Sequence, residues 1–305
     1  MATAAEPLLG VDLCSHALHF ADLCSHTLVG SGGRLVVCIS ASAEPREFYE
    51  RFADMVADTG HRCLYYDSFG RGATPLPPDG VVSLDAEIEL LLALIDEKAP
   101  GEPCALVAHS AGGVLALHFA ARHPERVAAL ALFCVLGAPH EPELAGKLSF
   151  IRRLVSTPCV GPHLYLSIIS RTHAKSHRHA AIQYDDPEDG ERVVRLFARM
   201  AARPECRDAF AQILTRSPGG TSQPVEPAVL KEVAASPRPV LLAHARDDAT
   251  LPTRQTDALA AAFDPRHATT LLLDSGAHCF PRSPALLRPG GALREAFEQL
   301  MAKIV

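Results

Sequence analysis

Ser110 lies in the stretch LVAHSAGGVLALHFAARHPERV, Leu106 to Val127, with Ala108 two residues before it and Gly112 and Gly113 close behind. An apolar run precedes this serine and a helix-period segment follows it, which is the setting of a nucleophile elbow. In such an elbow a tight strand-to-helix turn holds the hydroxyl clear of the sheet, and the flanking backbone comes so close that only small residues fit two positions away. Ala108 departs from the usual G-x-S-x-G by one methyl group. The same junction would also suit a serine that merely caps a helix, so its partners must decide. A serine hydroxyl is a weak nucleophile near neutral pH. It needs an imidazole to take its proton and a carboxylate to fix that imidazole's tautomer. Both types occur downstream, each just beyond an apolar run. RDDATLP follows PVLLAHA and offers Asp247 and Asp248, and SGAHCF follows ATTLLLD and offers His278. The order Ser, Asp, His, with each residue at a strand end, predicts a catalytic triad. His109, next to the serine, reads as packing at the elbow rather than as the base.

The elements that must position these residues are legible as periodicity. Short apolar runs at Arg34–Ser40, Arg62–Asp67, Cys104–Ala108, Val127–Gly137, Pro239–Ala245 and Ala268–Asp274 read as buried strands. Helix-period segments lie at Arg46–Ala57, Leu84–Glu97, Val114–Arg122, Arg254–Phe263 and Ala292–Lys303. Alternation of the two kinds predicts an α/β fold, a doubly wound and mostly parallel sheet covered by helices on both faces. One interval breaks the rhythm. His140 to Arg238 separates two successive strands, is rich in helix formers, and is broken by Pro158, Pro162, Pro187, Pro204 and Pro218. A structureless loop of that length does not belong inside a compact domain, so residues 140–238 are expected to form an inserted helical cap on a core of 1–139 and 239–305.

Composition narrows the function. Hydrophobic residues make up 48% of the 305 and charged residues 21%, enough apolar material for a large core. A net charge of −6 supplies no attraction for nucleic acid or an anionic membrane surface. No apolar run approaches the ~20 residues of a membrane helix, and the first residues lack the pattern of a signal peptide. Nine cysteines, with Cys38, Cys63, Cys104 and Cys134 inside predicted strands, suit a reducing compartment, so a cytoplasmic location is expected. The repeated DLCSH at Asp12–His16 and Asp22–His26 lacks metal-ligand spacing and reads as a β-hairpin. In RTHAKSHRH, His173 and His177 stand one helical turn apart, which could suit a metal or an anion. Without H-E-x-x-H the segment reads as a solvated face of the cap. Apolar stripes such as LSFIRRLV suit docking of cap helices more than an acyl pocket. No metal and no cofactor are expected, and the partner is a small-molecule substrate.

These motifs together resemble the α/β-hydrolases with a cap, a family of esterases, lipases, epoxide hydrolases and C–C bond hydrolases. The resemblance runs from Leu18 to Lys303 apart from the cap. It includes Asp67–Thr74, DSFGRGAT, which is similar to the family's D-x-R-G-x-G-x-S with Phe69 in place of Arg. The family's acid loop, G-x-x-D-x-x-x-P, falls on Ala245, Asp248 and Pro252, which implies Asp248 rather than Asp247 as the acid. Glu141 stands at the other acid position that some relatives use. Ser40 and Ala41 replace the usual His-Gly, and the resemblance implies the backbone amides of Ser42 and Ala111 as the oxyanion hole. A serine at the elbow separates the chain from relatives that place Asp there. The activity implied is hydrolysis of a carboxylic ester or related carbonyl compound through an acyl-enzyme on Ser110. C–C hydrolysis, thioester hydrolysis, acyl transfer and ligand binding without efficient turnover stay open.

Overall fold

The computed structural model describes residues 20–41, 44–137, 186–215 and 225–304, with isolated positions between 146 and 178. Its centre is a seven-stranded sheet in the order β1-β3-β2-β4-β5-β6-β7. The strands are β1 His26–Val29, β2 Leu35–Ile39, β3 Arg62–Tyr66, β4 Cys104–His109, β5 Val127–Phe133, β6 Val240–Ala245 and β7 Ala268–Leu273. All neighbours pair in parallel except β1, which runs antiparallel to β3 with His26 opposite Tyr66 and Val29 opposite Cys63. The doubly wound α/β architecture expected from the alternation is what the chain adopts.

Period-2 geometry sorts the strand residues onto two cores. Val37, Ile39, Leu106, Ala108, Leu130, Leu132 and Leu242 face one cluster, while Val36, Cys38, Ala105, Val107, Ala131, Phe133 and Ala243 face the other. Strands buried on both faces carry no polar alternation, which is why they read as unbroken apolar runs. The first core is closed by helices α2 (Leu84–Lys98), α3 (Gly112–Arg122), α6 (Pro227–Ala235) and α7 (Arg254–Ala262). The second is closed by α1 (Glu50–Asp58) and α8 (Ala292–Met301). Local signals set the helix ends. Ser83 caps α2 by accepting the Ala86 amide at 3.1 Å, with Asp85 and Glu87 in its first turn.

Two elements differ from the sequence expectation. β1 is not among the expected strands, and the hairpin expected across the DLCSH pair is not formed where the chain can be followed. The first copy lies outside the described residues, and the second runs from a helical segment at Phe20–Leu23 into β1. Ala21 and Cys24 are both buried, at a helical spacing of three, and Phe20 packs edge-on against Phe69 at 5.4 Å. Alternation over so few residues cannot separate a strand from a helical turn. Tertiary burial decides it.

Within 140–238, two helices, α4 (Pro187–Ala202) and α5 (Pro204–Thr215), share a small cluster of Phe197, Met200, Cys206 and Phe210. By contrast, Leu230 and Val233 of α6 belong to the main core beside α3. Helix α4 is tied to the core by charge. Arg282, 2% exposed, meets Asp189 at 2.6 Å and donates to the carbonyls of Glu47 (2.7 Å) and Phe48 (2.8 Å). Arg51 reaches Asp186 and Arg192 reaches Glu50 around the same point. The cysteines among the described residues are free thiols, all buried, and no described helix is long and apolar enough to cross a membrane.

Candidate active site

The chain leaves β4 at His109 and turns at once into α3. Ser110 occupies the turn with φ +52°, a left-handed conformation that costs a residue with a side chain about 1–3 kcal/mol. Hydrogen bonds hold it there. Its amide donates to the Phe133 carbonyl at 3.0 Å, and its carbonyl accepts from the amides of Gly113 (3.1 Å) and Leu136 (2.9 Å). The glycines are dictated by crowding. A Cβ on Gly112 would stand 2.7 Å from the Ile39 carbonyl oxygen and 2.8 Å from that of Ser40, and one on Gly113 would overlap Val135. Among the described residues the other non-glycines with left-handed φ are Cys134 (+38°) and Ala277 (+51°). They lie just beyond β5 and β7, on the same edge of the sheet as Ser110.

On the loop after β7, His278 is 3% exposed, and its Nδ1–H donates to Asp248 Oδ2 at 2.7 Å. Asp248 belongs to the loop after β6 and is fixed in turn. Its Oδ1 accepts the amides of Thr250 (2.7 Å) and Leu251 (3.0 Å), and His244 Nε2 stands 3.2 Å from its Oδ2. Burial works to raise the Asp248 pKa. The His278 imidazole outweighs it, with the hydrogen bonds from His244, His278 and Leu251, so the carboxyl is held well below the usual carboxylate range. The neighbouring Asp247 works on the main chain instead. Its Oδ1 accepts the Ala277 amide at 2.8 Å and so steadies the loop that carries His278.

His109 is fully buried beside the serine. Phe48 stacks on its ring at a centroid distance of 4.7 Å, and the His278 ring lies 4.7 Å away, tilted by 51°. Its Nε2 donates to the His278 carbonyl at 2.8 Å, and its Nδ1 meets Glu44 Oε2 at 2.9 Å. The Cys134 thiol donates to that same His278 carbonyl at 3.4 Å. Donor atoms of His109, Cys134 and His278 converge within 4.8 Å, the one grouping among the described residues with metal-ligand chemistry. It does not suit a metal. Both nitrogens of His109 and Nδ1 of His278 are already engaged, and burial pushes the Cys134 thiol well above its usual pKa, away from the thiolate a metal needs.

The Ala111 amide stands at the start of α3, directly after Ser110. Ser42, Glu141, His173 and His177 lie outside the described residues. The Asp67–Thr74 loop acts as a brace. Asp67 accepts the amides of Arg46 (3.0 Å) and Ala73 (3.3 Å), and Gly72, at φ +48°, has no room for a Cβ beside that carboxylate. Phe69, in the position of the family's Arg, is fully buried and serves the core.

Sequence reasoning misses Glu44, Cys134 and His244. His244 could have been suspected as the one polar residue in the run PVLLAHA, four positions before Asp248. Its Nδ1 accepts from the Thr256 hydroxyl at 2.7 Å, a contact that fixes the ring and is invisible in the sequence. Glu44 gives no local signal.

The chain is 31% identical over 120 residues to a cis-3-alkyl-4-alkyloxetan-2-one decarboxylase of Shewanella oneidensis, covering 39% of this chain and 37% of that protein. It is 34% identical over 96 residues to the lipase LipV of Mycobacterium tuberculosis, covering 32% and 33%. The chain thus spans well under half the length of these curated relatives. Among solved structures, a thermophilic esterase from Thermogutta terrifontis superposes with a TM-score of 0.70 at 20% identity, over 92% of this chain and 93% of that one, which establishes the α/β-hydrolase fold. Residues 33–284 match the family model described as serine aminopeptidase, S33, so the chain belongs to that family of α/β-hydrolases.

Proposed function

We propose that this protein is a serine hydrolase of carboxylic esters or closely related carbonyl compounds, working through an acyl-enzyme on Ser110. Asp248 holds Nδ1–H of His278, which leaves Nε2 as the base. Ser110 Oγ loses its proton to that nitrogen as it attacks the substrate carbonyl. The amides of Ala111 and Ser42 receive the oxyanion, and His278 returns the proton to the departing alcohol. Water then enters by the same route in reverse and frees the acid. The part of residues 140–238 that precedes α6 serves as a cap over the substrate, while α6 itself belongs to the core. The names of the relatives, a lipase and an esterase among them, favour an ester over other acyl compounds.

The observation that carries this reading is the 2.7 Å contact between His278 and Asp248, formed by two loops whose starting strands are neighbours, together with Ser110 on a left-handed turn. Such a turn is unfavourable for serine, and a helix cap does not require it. A fluorophosphonate probe tests the reading: covalent labelling of the wild type at Ser110, absent in Ser110→Ala, is expected. A wild type left unlabelled, with no turnover of short p-nitrophenyl esters, would refute it and leave ligand binding as the better account.

A further inference from the structure

We propose that Glu44 and His109 form a second carboxylate–imidazole pair that positions the reacting groups, His109 by holding the main chain of His278 and Glu44 by holding the turn after β2. The inference rests on the hydrolase reading of the site and adds two positioning residues to it.

Both side chains are buried, Glu44 at 1% exposure and His109 at 0%. One oxygen of Glu44 does two things: Oε2 accepts the Ala41 amide at 3.3 Å and meets His109 Nδ1 at 2.9 Å. Ala41 immediately precedes Ser42, whose amide is assigned to the oxyanion hole. At its far side, His109 Nε2 reaches the carbonyl of His278 at 2.8 Å. The pair therefore links the turn after β2 to the loop after β7, by way of a ring mounted on the last residue of β4.

The proton count follows from these contacts. A carbonyl oxygen only accepts, so His109 Nε2 carries a hydrogen. A neutral ring then presents a lone pair at Nδ1, and a lone pair facing a carboxylate at 2.9 Å would repel it. The pair must hold one further proton, either on Nδ1 as an imidazolium or on Glu44 as the acid. Burial lowers the His109 pKa, but Glu44, with the His278 carbonyl and Asp248, more than reverses it, which shifts the pair towards the imidazolium. An ion pair this deep carries a desolvation cost that apolar side chains of equal volume would not. What apolar side chains lack is any means of fixing two loops at hydrogen-bond precision. Phe48 stacked on the ring keeps it from turning.

The two contacts on one oxygen give a sharp test. A carboxamide at position 44 lacks the charge that keeps the extra proton on the pair. With its oxygen at that point it accepts from Ala41 but faces the lone pair of a neutral Nδ1, and with its nitrogen there it meets the Ala41 N–H donor to donor. Glu44→Gln therefore cannot serve both as the carboxylate does. His109→Leu removes the ring contacts outright, whereas His109→Gln keeps an amide donor able to reach the His278 carbonyl. We expect Glu44→Gln and His109→Leu each to lower kcat on p-nitrophenyl acetate, and the labelling rate of Ser110, by about 100-fold, the scale of a misplacement of about 1 Å. KM should stay within about threefold, because substrate contacts are untouched. His109→Gln should recover part of the loss, and the double variant should be no worse than the poorer single one, since both break the same link. A readout independent of turnover is the downfield proton resonance of the His278–Asp248 hydrogen bond, which should move in both variants. Unchanged kcat with an unmoved resonance would overturn the proposal, as would losses that multiply in the double variant. If either disruptive variant does not fold, His109→Gln decides by the same two readouts, with wild-type kcat and resonance counting against the pair. A wild type that is neither labelled nor active would sink the hydrolase reading alone. The resonance would then still decide the pair, a shift in Glu44→Gln supporting it and no shift refuting it.

Discussion

His278 and Arg282 lie close together beyond β7 and each grips a carboxylate from another element, to different ends. His278 pairs with Asp248 at 2.7 Å, and Arg282 pairs with Asp189 at 2.6 Å. Both carboxyls are held below their usual range against the opposing pull of burial, chiefly by the basic partner. The partners differ in what they can release. An imidazole can accept a proton at one ring nitrogen and give it back, which is what a general base needs. A guanidinium keeps its charge at every accessible pH, so the second pair can only fasten, and what it fastens is helix α4 to the turn before α1. The physics of attraction is shared, and the chemical type of the basic partner, a ring that can pass a proton or a fork of fixed donors, separates the two.

That contrast can be broken or sharpened by substitution. The largest expected effect is Ser110→Ala, which should reduce ester turnover to background while leaving the melting temperature unharmed or raised, as alanine removes a buried hydroxyl from the elbow. Activity assays and calorimetry on the same preparation check both halves. Next, Asp248→Asn should lower kcat by about 10⁴-fold with the fold retained, because the amide favours the wrong imidazole tautomer. The same variant should alter acid stability. The folded-state pKa of Asp248 is depressed, so below about pH 4 the unfolded chain binds more protons than the folded one, and stability rises with pH. Its contribution is whole above that pH and is lost as pH falls towards the folded value, so denaturant titrations from about pH 5 to about pH 2 should show a shallower decline in Asp248→Asn than in the wild type.

Asp189→Ala should cost stability rather than chemistry, by about 3 kcal/mol, since it leaves Arg282 buried without its carboxylate. Urea unfolding measures the loss, and the labelling rate of Ser110 per folded molecule should stay near that of the wild type. A fall in labelling as large as that of Asp248→Asn would erase the distinction between the two pairs. The smallest effect belongs to Asp247→Asn. The amide oxygen can still accept the Ala277 amide, so stability should change by less than about 1 kcal/mol and kcat by only a few-fold. Adjacent acids would thus differ about a thousandfold in consequence, as steady-state kinetics on the two variants would show.

Much of this is legible in the residues, for reasons that particular elements make clear. The inner strands β2 to β6 carry near-unbroken apolar runs because both their faces are covered, whereas β7 at the edge is half exposed, and the helices between them carry a 3.6-residue stripe. β1 escapes notice because an edge strand of four residues, HTLV, has too little pattern to announce itself. The serine and the histidine follow from strand ends, the choice of Asp248 over Asp247 follows from the resemblance to the family's acid loop, and the structure brings Asp248 and His278 into contact. What cannot be read are contacts that depend on distant chain positions meeting in space. Glu44 and His109 are 65 residues apart, and His109 and His278 are 169 apart. Neither pairing leaves a periodicity. The buried anchoring of α4 by Arg282 is hidden for the same reason, since an arginine in CFPRSP reads as an ordinary surface residue.

The left-handed backbone at Ser110, Cys134 and Ala277 bears on how such an enzyme could diversify. Three strand ends, after β4, β5 and β7, each hold a side-chain-bearing residue in a conformation that only its surroundings enforce. Lengthening or shortening any of those loops would let the residue relax and carry a hydroxyl, a thiol or an imidazole away from its neighbours. Insertions that retune substrate choice are therefore poorly placed at those three strand ends.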